Sequence, residues 1–155
     1  MEVASFAVDP SRNAPLIILK ETGGDRTLPI PIGAMDASAI AIKSLNVVTD
    51  KPLTIDLVSI VMVSLGARLD RVVIEDTVEK GLSARLHVVC GSTVHLIECA
   101  TSDAISLALR CPAPVFVSED VLAKRKPGDR PTPQEDLRKH IAALDTLDFG
   151  RYFPE

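Results

Sequence analysis

Apolar and polar residues alternate in short blocks over the first fifth of the chain. Val3 to Val8, Leu16 to Leu19 and Thr27 to Ile32 carry the β-branched and aliphatic residues of half-buried strands, and Gly23-Gly24-Asp25 reads as a turn between the second and third. From Gly33 the period lengthens. Ala34, Ala37, Ile40, Ala41, Ser44 and Leu45 recur at helical spacing and stop near Asn46. A second helix is predicted from Thr54 to Leu65, with Thr54 as N-cap, Asp56 in the first turn and Gly66 as the stop. The order is β-β-β-α-α.

That order then recurs. Strands are predicted at Leu69 to Glu75, Leu82 to Val89 and Thr93 to Cys99, a helix from Ser102 to Leu109, and a shorter one from Glu119 to Lys124. Asp36-Ala37-Ser38-Ala39-Ile40-Ala41-Ile42-Lys43 matches Asp103-Ala104-Ile105-Ser106-Leu107-Ala108-Leu109-Arg110 at an offset of 67 residues, which also superposes Gly24 on Gly91 and Leu19 on Leu86. An internal duplication explains the match; the alternative is that amphipathic helices after strands look alike by chance. The predicted fold class is α+β: a duplicated β-β-β-α-α unit forming a mixed sheet with helices packed on it, plus a C-terminal helix.

Residues 1–123 are read as this domain. Residues 124–131, Lys-Arg-Lys-Pro-Gly-Asp-Arg-Pro, are read as a linker, and residues 132–155 as a helix and tail. Thr132-Pro133-Gln134-Glu135 has the form of a capping box, and Leu137, Ile141 and Leu144 follow on one face. That stripe has to pack on the parent domain or on another subunit, and docking on the parent domain is expected.

Composition narrows the function. With 46% hydrophobic and 25% charged residues the chain suits one globular domain and not a disordered one. A net charge of −4 excludes a wholly basic nucleic-acid-binding surface, and 3% aromatics argue against base-stacking platforms, so any contact with nucleic acid has to be local. Three cysteines, Cys90, Cys99 and Cys111, lack CxxC spacing, and no basic-plus-apolar leader precedes Glu2. Reduced thiols in the cytoplasm and no membrane segment are therefore expected.

Three segments carry a family likeness: Leu28-Pro29-Ile30-Pro31-Ile32-Gly33 followed by Asp36-Ala37, Lys51-Pro52-Leu53-Thr54-Ile55-Asp56-Leu57, and Ser102-Asp103-Ala104-Ile105-Ser106-Leu107-Ala108. In this order they resemble the blocks of the bifunctional nuclease domain family, whose members are associated with degradation of DNA and RNA. The resemblance spans about Glu2 to Val121. Against the family pattern, Pro31 replaces Trp, Asp36 replaces Glu, Lys51 replaces Arg, Ile55 stands in the place of a His, and Ala100-Thr101 replace Arg-Pro.

The resemblance implies phosphodiester hydrolysis. That chemistry commonly uses carboxylates to hold divalent cations that activate water and stabilise the leaving oxygen. Asp36 and Asp103 are the candidate metal ligands, for Mg²⁺ or Mn²⁺, and if the halves are related by a pseudo-twofold they are expected on a shared face. Ser102 and Thr54 are candidates for hydrogen bonding and Lys51 for phosphate charge, with Asp56 nearby. The competing reading gives an Asp in a first helical turn the task of meeting the helix dipole. Losing the His and Arg positions favours the alternative of a non-catalytic binding or assembly module on the same scaffold. Both readings are compatible with a homodimer.

A three-residue turn Cys90-Gly91-Ser92 would set Val89 against Thr93, His87 opposite His95 and Arg85 opposite Ile97. Paired imidazoles could bind metal, or simply occupy a half-exposed sheet face. The three cysteines are read as structural, His140 as solvent-facing, and the Lys124-Arg125-Lys126 cluster with Arg130 as solvated linker charge or a contact to a phosphate backbone.

Overall fold

A computed structural model of the chain describes residues 1–9, 14–77 and 81–124. The first three strands, β1 (Glu2–Asp9), β2 (Ala14–Lys20) and β3 (Thr27–Pro31), form an antiparallel meander. Strand alternation decides which face turns inward: Ile17 faces Ile30 and Leu19 faces Leu28 across the ladder, and none of the four is more than 1% exposed. Helices α1 (Ala34–Ser44) and α2 (Thr54–Ser64) follow. Asn46 and Gly66, just past the two helices, take φ of +52° and +71°, the left-handed turn that unwinds a helix end. The N-cap of α2 is Leu53, so Thr54 is its first helical residue and not the predicted cap.

The second half repeats the first with one addition. β4 (Ala67–Thr77), β5 (Gly81–Cys90) and β6 (Thr93–Cys99) form a meander, then come α3 (Thr101–Arg110), a short β7 (Val115–Val117) and α4 (Glu119–Lys124). β7 lies parallel to β4 and gives the sheet order β6-β5-β4-β7. With only three residues it shows no period in the sequence; its place beside Val72 to Ile74 comes from tertiary pairing. α1 and α3 begin 67 residues apart, and the register slips near the start of each meander's first strand, between Val3 and Ser5 and between Leu69 and Arg71. A β-bulge kept at corresponding places in both halves supports the duplication.

The class is α+β, as expected. The strands divide between a three-stranded and a four-stranded sheet and are not joined in a single mixed sheet. α3 sits at the centre, packed on β4 and β5 and against α1 and α2. Its Ala104, Ile105, Leu107 and Ala108 are buried in one cluster that also holds Leu19, Leu28 and Ile40 from the first half and Val72, Ile74 and Leu86 from the second. Among the described residues no helix is long and apolar enough to cross a membrane. The predicted linker beyond Lys124 and the predicted C-terminal helix, with His140, lie outside the described residues.

Candidate functional site

Each of the three long helices opens with an aspartate three residues past its N-cap: Asp36 after Gly33, Asp56 after Leu53 and Asp103 after Ala100. The position places a carboxylate beside unpaired backbone N–H groups and the positive end of the helix dipole. Asp56 uses it directly, accepting a hydrogen bond from the Leu53 N–H at 2.8 Å. Asp36, half-buried, leans back over its own helix start, with Oδ2 3.5 Å from where a Cβ on Gly33 would stand. Asp103 is exposed.

A buried charge network joins three helices. Arg110, at the end of α3, is 3% exposed in its side chain, and its Nε donates to Oδ1 of Asp56 at the start of α2. Nη1 donates to the carbonyl and hydroxyl oxygens of Ser106 at 3.1 and 2.9 Å, and Nη2 to the Ala39 carbonyl of α1 at 3.2 Å. Partial burial pushes the Asp56 carboxyl up, but the hydrogen bonds from Arg110 and the Leu53 N–H, with the charges of Arg110 and Lys43, outweigh it and hold its pKa below the ordinary aspartate value. Sequence comparison paired Arg110 with Lys43 without giving it a task. The signal available was a basic residue in the last turn of each duplicated helix, four residues after Ser106 in the second.

The other predicted residues are distributed around this network. Ser102 is half-buried in the first turn of α3, Thr54 is exposed in the first turn of α2, and Lys51 is exposed in the preceding loop, where Thr49 Oγ1 donates to its carbonyl at 2.8 Å. No hydrogen bond joins Asp36 to Asp103, and no group of three or more His, Cys, Asp or Glu side chains gathers among the described residues. A groove of about 620 Å³ beside the first residues of β1 is mostly aliphatic, lined by Val3, Ile105, Ala108, Leu109 and Val115 among others, and contains none of the predicted site residues.

The histidine register needs correction. The β5–β6 turn has two residues, Gly91-Ser92, with Gly91 at φ +58°, so Cys90 pairs with Thr93 and the whole ladder shifts by one. His87 faces Leu96 and His95 faces Val88, which puts the two imidazoles on opposite faces of the sheet. They form no pair. All three cysteines are free; burial raises the pKa of Cys99, with Asp103 and Glu98 adding to it, and burial raises that of Cys111, so both stay protonated at neutral pH.

The exposed cations are largely spoken for. Arg26 bridges Glu21 and Glu119, Arg68 and Arg71 share Asp70, Arg85 meets Glu75, and Lys124 meets Asp76. Among the described residues Lys20, Lys43 and Lys51 stand outside these bridges. Lys43 and Lys51 flank the connection from α1 to α2, so the uncommitted positive charge of this region lies before the α2 N-terminus.

Comparison with known proteins bears on the same region. The model of a family described as the bifunctional nuclease domain matches residues 17–128. Two uncharacterized proteins of Mycobacterium tuberculosis, one from strain CDC 1551 / Oshkosh and one from strain ATCC 25618 / H37Rv, are each 36% identical to the chain over 124 residues, which cover 80% of it and 74% of their own length.

Proposed function

Since the chain belongs to the bifunctional nuclease domain family, we propose that it hydrolyses phosphodiester bonds in DNA and RNA. The family match over residues 17–128 carries this reading, because it takes in Asp36, Lys51, Thr54, Ser102 and Asp103 together with the helices and preceding loop that hold them. Asp36 and Asp103 are assigned to a divalent cation, Mg²⁺ or Mn²⁺. Their hard oxygen donors suit such an ion, whose remaining coordination positions water and substrate phosphate would fill. A bound cation would supply an activated water and charge for the leaving oxygen. Lys51 supplies positive charge to a backbone phosphate, and the hydroxyls of Thr54 and Ser102 donate hydrogen bonds to its oxygens. The free thiols fit a cytoplasmic protein.

The test is incubation of purified protein with single-stranded DNA and RNA in the presence of Mg²⁺, Mn²⁺ or EDTA. Cleavage is expected with the metals and abolished by EDTA, and Asp36→Ala with Asp103→Ala is expected to lower it by at least about a hundredfold. Activity that survives the double substitution removes these residues from the site.

A second reading has its own support. Ile55, in the place of the family's His, packs against the hydrophobic core, and Ala100, in the place of its Arg, caps α3 without any side-chain hydrogen bond. On this reading the scaffold is a non-catalytic binding or assembly module, and a pure preparation leaves both nucleic acids intact under every metal condition.

A further inference from the structure

The aliphatic groove beside β1 takes no part in the proposed chemistry, and it lies close to where the described residues end. It runs between the first residues of β1, the last turns of α3 and the segment leading into β7, and holds about 620 Å³. Val3, Ile105, Ala108 and Leu109 give it aliphatic walls, and Phe116, 51% exposed, stands beside them. Among the described residues its lining includes one ionisable side chain, Glu2, and one hydroxyl, Thr22.

The backbone around the groove is prepared for a dry contact. Pro112 and Pro114 have no N–H to satisfy. Between them the Ala113 N–H donates to the Ala108 carbonyl at 3.1 Å, and the Pro114 carbonyl accepts from the Val72 N–H at 3.0 Å. The Val115 carbonyl accepts from the Met1 amino group. An apolar cover would strand none of these groups.

We infer that residues 132–144 of the same chain provide that cover, as an amphipathic helix laid in the groove along its Leu137, Ile141 and Leu144 stripe. The three positions are i, i+4 and i+7, the spacing by which a helix anchors itself in an apolar groove. Arg138 borders the stripe and carries the charge complementary to Glu2.

Reach favours this groove over the other exposed apolar surfaces. The described residues end at Lys124, whose Nζ is held by Asp76 near the end of β4. β7 pairs with Val72 to Ile74, so Val115 and Phe116 of the groove lie roughly 10–15 Å from Asp76 along the sheet. Residues 125–131 extend to roughly 25 Å, which spans that gap and leaves slack for the turn. The exposed face of α2 is farther away. That helix leads into β4 at Ala67, which is about 30 Å from Asp76 along the strand.

Tethering favours the chain's own segment over other occupants. A linked stripe meets the groove at an effective concentration in the millimolar range, ahead of a second chain at micromolar concentration. A small apolar ligand would find only the Glu2 and Thr22 side chains to orient it.

Hydrogen exchange read by mass spectrometry on the full chain tests the inference. A helix of about a dozen residues is marginal by itself, so protection of its amides reports docking. Exchange over residues 137–144 is expected to be at least about tenfold slower than in an unstructured peptide. Ile141→Asp leaves residues 1–124 untouched, and it is expected to abolish that protection and to speed exchange over residues 109–116. Ala113→Glu, which sets a charge in the groove, is expected to release residues 137–144 while α3 and both sheets keep their protection. Ile60→Glu, on the exposed face of α2, is expected to change nothing at the stripe. Unprotected stripe amides in the parent chain overturn the inference. So does protection that survives Ala113→Glu, that is lost in Ile60→Glu because the stripe lies on α2, or that fades on tenfold dilution because it comes from a second copy. Should Ala113→Glu unfold the domain, Ile141→Asp still decides, since residues 109–116 that do not respond to it overturn the inference. Cleavage of nucleic acid enters none of these readings.

Discussion

Asp56 and Arg110 stand 54 positions apart in the chain, and their ion pair fastens the start of α2 to the end of α3. Because Arg110 is almost fully enclosed, removing its counter-charge leaves a guanidinium in the interior with only neutral acceptors. Asp56→Asn is therefore expected to lower stability by about 3 kcal/mol at neutral pH, measured by urea unfolding. The pH dependence has a definite sign. A carboxyl whose pKa is lower in the folded than in the unfolded chain contributes fully above the unfolded value, near 3.8, and loses that contribution as pH falls through the folded value. The advantage of the parent chain over Asp56→Asn is expected to stay constant from neutral pH down to about 5 and to shrink below about 4, followed by thermal melts across that range. The aspartate was visible in the sequence as a first-turn acid. Its partner was not, since contact between residues so far apart exists only once three helices have packed.

At the scale of elements, helix and strand periods were legible almost throughout. The boundaries of β6 and α4 were read as they stand, and the other long elements lie within two residues of their predicted ends. Two misreadings had local causes. The β5–β6 turn holds two residues and not three, because Gly91 takes a positive φ that lets Cys90 pair directly with Thr93; a one-residue slip then carries His95 to the other face. β7 is too short to show a period and exists through its pairing with β4. α3 supplies a prediction of its own. Its N-cap, Ala100, is exposed, has extended backbone angles and offers no side-chain acceptor, and Thr101 Oγ1 just inside is buried without a partner among the described residues. Ala100→Ser places an acceptor over the open N–H groups and is expected to stabilise the protein by about 1 kcal/mol, read as a higher urea midpoint at unchanged slope.

Over the whole molecule, two similar halves build two sheets around a shared interior in which Leu19, Leu28 and Ile40 meet Val72, Ile74 and Ile105. Neither half encloses that interior alone, so a single cooperative unfolding transition is expected. Scanning calorimetry checks this; two separated transitions would show the halves to be independent. Much of this was settled locally. Strand alternation, helical spacing, the terminating Asn46 and Gly66, and the matching Asp36 and Asp103 blocks are properties of neighbouring residues, so the α+β class, the repeated order and the family likeness could be read in one dimension. The division into two sheets, the Asp56–Arg110 tie and the exposure of one side of α2 arise between segments dozens of residues apart. They depend on which surfaces meet after collapse, a quantity that no local pattern encodes.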